Sequence, residues 1–157
     1  MRQNKIVRYL TRLKLGYYIA LFLFMTFITY QITYFFPVDA LRNDKVDSLK
    51  TIVDNIAFGI ILVPIIETLI FQTLIVSVIC HLIIRPRHNF YPAIFISAFA
   101  FSLNHSYSFY YMFMTFLAGI ILAVAFYIAR YRKFDATLTV ILIHSIWNLA
   151  VYLTDNM

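Results

Sequence analysis

The chain has 157 residues, of which 62% are hydrophobic, 18% are aromatic and only 13% are charged. Soluble domains carry about 25% charged residues, so this composition excludes an ordinary soluble domain and predicts a single integral membrane domain. The net charge of +6 does not indicate nucleic-acid binding, because the basic residues lie beside hydrophobic runs, as they do in membrane proteins.

Residues 1–15 form a basic juxtamembrane segment with five Lys and Arg residues and no acidic residue. Within it, Ile6, Leu10 and Leu13 recur at helical spacing, and basic residues lie on another face. This pattern is typical of a short amphipathic helix on an anionic membrane surface. A charged flank of the first membrane span explains the same residues, and the sequence does not separate these two interpretations.

Five apolar runs follow in chain order, at 16–36, 56–84, 91–106, 109–129 and 136–153. The runs are continuous rather than alternating, which favours helices over the strands of a membrane barrel. The first run is too long for a signal peptide and lacks a cleavage site, so it is expected to be an anchor. We therefore predict an all-α bundle of about five transmembrane helices. Residues 16–55 supply an extra helix and a polar loop, and residues 56–153 supply a four-helix core.

The basic residues also predict the orientation of these helices. Ten of them lie in the N-terminal segment and in the second and fourth loops, and three lie in the first loop. Loops rich in Lys and Arg stay on the cytoplasmic side of a membrane. The N-terminus is therefore expected inside the cell and the C-terminus outside.

Few ionisable side chains interrupt the spans, and each costs about 2.5–3.5 kcal/mol in the bilayer, so each marks a candidate functional position. The single glutamate, Glu67, lies in the second span, and His105 and His144 lie in the third and fifth spans. Asn148 follows His144 by one helical turn. At about 1.5 Å per residue, these four side chains reach a common depth in the membrane. Together they can activate a water and stabilise an oxyanion, or they can bind a metal ion.

Three short motifs carry a family resemblance: ETLIFQ at 67–72, FSLNH at 101–105 and HSIWN at 144–148. Their order and spacing resemble EExxxR, FxxxH and HxxxN in the CPBP intramembrane proteases, also called the Abi family. That family includes the type II CAAX prenyl endopeptidases and bacterial proteins linked to bacteriocin processing and self-immunity. The resemblance covers residues 56–153 and implies a protease core in that part of the chain.

The resemblance also implies a role for each matching residue. Glu67 corresponds to a general base on a water, and His105 to a histidine that shares this water. His144 and Asn148 correspond to the pair that holds the oxyanion, and Phe101 is expected to pack. The family is often described as metal-dependent, so Zn or another divalent metal, if present, would be held by Glu67, His105 and His144; a metal-free mechanism uses the same residues.

Two positions depart from the family pattern, because Thr68 replaces the second glutamate and Gln72 replaces the arginine. In an α-helix these residues are one turn apart on the same face, whereas Gln72 lies on a different face from Glu67. We expect Thr68 and Gln72 to support the site as a neutral hydrogen-bonded pair, in place of an ion pair.

The leading functional prediction is an intramembrane endopeptidase of a bacterial plasma membrane that hydrolyses a membrane-associated peptide or protein. The alternative is a non-catalytic membrane scaffold in bacteriocin self-immunity or signalling control. A third interpretation, haem binding or ion transport through His105 and His144, leaves the three-part motif match unexplained.

Overall fold

The computed structural model describes residues 5–35, 58–83, 86–132 and 134–155. Within these ranges the chain forms helices and no strand. The helices are α1 (Lys5–Arg12), α2 (Leu15–Gln31, extended by a 3-10 turn over Ile32–Phe35), α3 (Phe58–Leu82), α4 (Pro86–Leu103), α5 (Phe109–Ala129) and α6 (Ala136–Asp155). The all-α prediction is confirmed, and the polar loop expected at 37–55 lies outside the described residues.

Three of the described helices are long and apolar enough to cross a membrane by length and composition: Phe58–Leu82, Phe109–Ala129 and Ala136–Thr154. Leu15–Gln31 and Asn89–Leu103 are apolar but shorter. Large apolar side chains such as Leu74, Phe99 and Leu138 are more than half exposed. An exposed apolar surface of this kind is suited to lipid, so the helices form a membrane protein with each predicted span represented by one helix.

Helix α4 begins at Pro86, five residues before the predicted start of the third span, so the second loop, expected between the runs 56–84 and 91–106, is helical from residue 86 onward. Proline is favoured in the first turn of a helix, where its missing N–H costs nothing. Asn89 fixes this start, because its side-chain amide donates to the Ile83 carbonyl at 3.1 Å and accepts from the Tyr127 hydroxyl at 2.8 Å. The buried side chain of Asn89 therefore allows the helix to extend into the second loop.

Helix α3 is wound in an unusual way. It is π-helical over Phe58–Leu62 and again over Thr68–Ile75, with α-helical turns between and after these segments. In a π-helix the N–H of residue i+5 donates to the carbonyl of residue i, and such segments occur frequently at functional sites. The winding therefore changes which side chains share a face around Glu67.

Helices α4 and α5 pack closely around Gly119. A methyl group at this position would lie 3.1 Å from the Ala98 Cα atom and 3.1 Å from the Phe101 ring. Helix α5 is also the most enclosed of the described helices, since Leu122, Phe126 and their neighbours toward Ala129 are buried. The absence of a side chain on Gly119 thus lets α4 approach α5 at the level of the FSLNH motif.

The N-terminal helix is fastened to the segment after α5 by Arg132. Its guanidinium donates to the carbonyls of Leu10 and Leu13 and lies 4.1 Å from the centre of the Tyr18 ring. A cation at the C-terminal end of a helix stabilises its unpaired carbonyls. Helix α1 and the loop after α5 therefore lie at the same end of the bundle, as the distribution of basic residues requires. Which side of the membrane this end faces stays a prediction.

Candidate active site

Glu67 lies between the imidazole rings of His105 and His144. One carboxylate oxygen, Oε1, is 3.3 Å from His105 Nε2, and the other, Oε2, is 3.6 Å from His144 Nε2. These residues come from α3, from the turn after α4, and from α6. The side chains of Glu67 and His105 retain 10% and 15% of their exposure, so a small polar molecule can reach the pair. The structure thus brings together three of the four residues predicted from the sequence.

Asn104 is a member of this cluster that the sequence reasoning missed as a site residue. Its side-chain amide donates to Glu67 Oε1 at 3.3 Å, so this oxygen faces both Asn104 and His105. The available signal was its position: an amide at the end of a membrane span, directly before a candidate histidine. A donor on Oε1 fixes the orientation of the carboxylate.

A backbone contact settles the tautomer of His105. Its Nδ1 lies 2.9 Å from the Phe101 carbonyl oxygen. A carbonyl only accepts hydrogen bonds, so Nδ1 carries the proton, and Nε2 of the neutral ring is an acceptor directed at Glu67. Two acceptors, Nε2 and Oε1, therefore face each other across 3.3 Å. A donor with two protons, such as water, suits the space beside them.

Phe101 packs as the sequence predicted. Its ring centre is 4.5 Å from that of His105, 5.9 Å from that of His144 and 5.5 Å from that of Phe71 on α3. Tyr111 on α5 flanks His105 at 6.1 Å. Through Phe71, this aromatic layer packs both imidazoles against α3.

Asn148 is not in contact with the carboxylate in this arrangement. Its amide nitrogen donates to the Gly59 carbonyl oxygen at 3.1 Å. Gly59 belongs to the first π-helical segment, where its carbonyl would accept from the N–H of residue 64, but Pro64 has no N–H. Asn148 therefore donates to a carbonyl whose i+5 backbone donor is missing at Pro64. Its second N–H remains for another acceptor, since an amide carries two.

The predicted hydrogen bond between Thr68 and Gln72 is wrong. Both side chains are 0% exposed, yet Thr68 Oγ1 and both polar atoms of Gln72 have no hydrogen-bond partner among the described residues. The expectation assumed α-helical winding, whereas both residues lie in the second π-helical segment. The same winding places Gln72 on the buried side together with Glu67, rather than on a separate face.

The donor groups around Glu67 do not match a metal-binding site. In the part of the chain that the structure describes, no group of three or more His, Cys, Asp and Glu side chains has an arrangement that could hold a metal ion. One imidazole nitrogen lies near each oxygen of Glu67, at 3.3 and 3.6 Å. A metal centre requires three or four ligands at about 2.0–2.2 Å from a common position, and the described residues do not offer such a set.

The arrangement has the groups that hydrolysis of an acyl compound requires. A carboxylate can take a proton from water, an imidazole acceptor can hold the same water, and an imidazole and an amide can donate to a developing oxyanion. His144 Nδ1 is buried without a partner in the described ranges, so this ring retains a polar atom for a further contact.

Known protein families give separate information on the class of protein. A family model described as Type II CAAX prenyl endopeptidase Rce1-like matches residues 50–150, which include Glu67, His105 and His144. No curated protein and no solved structure matches the chain. The family match confirms the resemblance carried by the three motifs. Because the model covers more than half of the chain, the protein belongs to the Rce1-like family of type II CAAX prenyl endopeptidases.

Proposed function

We propose that the protein hydrolyses a peptide bond of a membrane-associated peptide or protein, with Glu67 as the general base. The observation that carries the proposal is the position of the Glu67 carboxylate between two imidazoles, at 3.3 and 3.6 Å. An ionisable group inside a bilayer is costly unless it has a use and a polar partner. In this cluster Glu67 has polar partners, and catalysis would give it a use. Membership of a protease family supports the reaction class.

The nucleophile is a water that donates one proton to Glu67 Oε1 and the other to His105 Nε2. Both atoms are acceptors when Nδ1 of His105 donates to the Phe101 carbonyl. A water held by both of its protons directs a lone pair away from the two acceptors. Positioning of this kind lowers the barrier because the reacting water is already oriented when the substrate arrives. Asn104 holds Oε1 in place through its own hydrogen bond.

In the reaction, the water oxygen bonds to the carbonyl carbon of the scissile peptide and its proton passes to Glu67. The carbonyl oxygen becomes an oxyanion, which accepts hydrogen bonds from His144 and from the second N–H of Asn148. The C–N bond then breaks, and Glu67 returns the proton to the leaving nitrogen. The bond from Asn148 to Gly59 fixes the amide in one orientation before the substrate binds.

The catalytic unit in this proposal is the core over residues 56–153, and the substrate reaches it from the membrane. The site lies at the end of α4 where the chain turns toward α5, and this turn carries the exposed rings of Tyr107 and Phe109. Aromatic side chains of this kind concentrate at the membrane–water interface. A peptide held at that interface is therefore within reach of the carboxylate.

A survey of peptide termini in the native host tests the proposal. Deletion cells carrying the wild type, Glu67→Ala or an empty vector, at matched expression, are compared for membrane-associated peptides with new ends. We expect at least one terminus that appears only with the wild type. Thr29→Ser serves as the matched control, because its hydroxyl is bonded only within its own exposed helix turn, to the Met25 carbonyl. If Glu67→Ala restores every phenotype and no terminus depends on the wild type, the protein acts as a scaffold instead.

A further inference from the structure

The second π-helical segment of α3 buries more hydrogen-bonding capacity than its surroundings satisfy. Thr68 Oγ1, Gln72 Nε2 and Gln72 Oε1 have no partner among the described residues, and both side chains are 0% exposed. Most buried polar atoms in folded proteins have a protein or water partner. Inside a membrane bundle the surrounding lipid provides none. Three such atoms on two residues of one helical turn therefore require an explanation.

The chemistry of these atoms identifies what they bind. The amide of Gln72 presents a donor and an acceptor, and the hydroxyl of Thr68 is both. A cation would match the two oxygens and oppose the amide N–H groups, whereas an anion would match the donors and oppose the amide oxygen. Water both donates and accepts, and a buried water makes about three hydrogen bonds to groups that are otherwise unsatisfied.

The winding of the helix explains why a bridging ligand is needed at this point. Thr68 and Gln72 both lie on the buried side of the π-helical segment Thr68–Ile75, but their polar atoms do not form a direct hydrogen bond. A water can join two polar groups on one face that do not bond to each other directly. The neighbouring hydroxyl of Thr73 differs, because it contacts the Thr137 hydroxyl at 3.1 Å.

We propose that Thr68 and Gln72 hold an ordered internal water within the bundle, next to the candidate base Glu67. The water takes the place of the charged side chains, a glutamate and an arginine, that the family pattern EExxxR has at these two positions. It satisfies the buried hydroxyl and amide and so allows the π-helical turn to persist beside Glu67. The proposal concerns the ligand of two neutral residues and does not depend on peptidase activity.

A high-resolution structure of the wild-type protein in lipid gives the first test. We expect density for one solvent molecule within hydrogen-bond distance of Thr68 Oγ1 and of the Gln72 amide. A direct bond between the hydroxyl and the amide, or a site closed by apolar side chains with no solvent density, would overturn the proposal. Inactive protein serves equally well, so failure of the proposed function would leave this result unaffected.

A double-mutant cycle on thermal stability gives the second test, with Thr68→Val and Gln72→Leu. If a water bridges the residues, each single variant lowers the melting temperature, and the double variant falls no further than the worse single one. If the atoms have no ligand, each apolar replacement raises the melting temperature and the increases add. The matched control is Thr73→Val, whose hydroxyl has a protein partner and whose effect is expected to add to that of Gln72→Leu.

Discussion

Replacing Asn148 with leucine should destabilise the bundle, and replacing Pro64 with alanine should remove most of that effect. The reason is the Gly59 carbonyl, which accepts from Asn148 at 3.1 Å in place of the N–H that Pro64 lacks. Leucine has a similar volume and no donor, so Asn148→Leu removes this hydrogen bond from the carbonyl. Alanine at position 64 restores a backbone N–H five residues after Gly59, which suits the π-helical winding of that segment.

The expected magnitude follows from measurements on comparable bonds. An unsatisfied buried acceptor costs about 1–3 kcal/mol in proteins, and interhelical hydrogen bonds in a membrane protein average about 0.6 kcal/mol and reach about 1.7 kcal/mol. We therefore expect Asn148→Leu to lower the free energy of unfolding by about 1 kcal/mol. In the Pro64→Ala background the same change should cost less than half as much, because the carbonyl then has a second donor.

The assay is unfolding by SDS titration in mixed micelles, followed by the fluorescence of the single tryptophan, Trp147. The four proteins of the cycle are the wild type, Asn148→Leu, Pro64→Ala and the double variant. Pro64→Ala also changes packing, but the cycle isolates the coupling between the two positions from that effect. Ser97→Ala is the matched control: the Ser97 hydroxyl donates to the Phe71 carbonyl at 2.8 Å and shares no partner with Pro64, so its cost should be the same in both backgrounds.

Equal costs of Asn148→Leu in the two backgrounds would refute this reasoning. The hydrogen bond to Gly59 would then have no connection with the proline, and Asn148 would be held for the substrate alone. Coupling of the same size for Ser97→Ala would refute it too, because Pro64→Ala would then be altering the whole helix rather than one carbonyl.

Three further predictions concern packing, positioning and metal dependence. Gly119→Ala should lower the free energy of unfolding by about 1 kcal/mol in the same titration, because the added methyl meets the Ala98 backbone at 3.1 Å; Gly16→Ala, with nothing within 4 Å, should be neutral or stabilising. Asn104→Leu should reduce kcat about 10-fold or more in steady-state assays and leave KM nearly unchanged, because a donor to Glu67 is lost; an effect on KM alone would contradict this role. Dialysis against a chelator should leave the cleavage rate unchanged, and a loss that Zn²⁺ restores would require a metal in the mechanism.

The sequence was sufficient to find the helices and most of the site, for physical reasons. A continuous apolar run has one stable backbone form in lipid, so the predicted span over 109–129 coincides with α5. Glu67, His105 and His144 were identifiable because each is costly in a membrane unless it meets another polar group. That requirement alone implies that they meet, and the structure places one nitrogen of each imidazole within 3.6 Å of a Glu67 oxygen.

The local winding of α3 could not be predicted in the same way. The order of apolar and polar residues does not distinguish i+4 from i+5 hydrogen bonding in a helix that is apolar on nearly every side. The expected bond between Thr68 and Gln72 failed for this reason, and the partner of Asn148 was missed because it is a backbone carbonyl. Asn104 occupies no defined position of the family motifs, and its hydrogen bond to Glu67 is evident only in the structure.

The central claim is that Glu67 removes the proton from an attacking water. The most direct measurement is cleavage of an identified substrate peptide by purified protein in liposomes prepared with H₂¹⁸O, comparing the wild type with Glu67→Gln. The account predicts ¹⁸O in the new carboxyl terminus made by the wild type and a rate about 10²–10⁴-fold lower for Glu67→Gln, with the same melting temperature. Cleavage by Glu67→Gln at the wild-type rate, or a product without ¹⁸O, would contradict it.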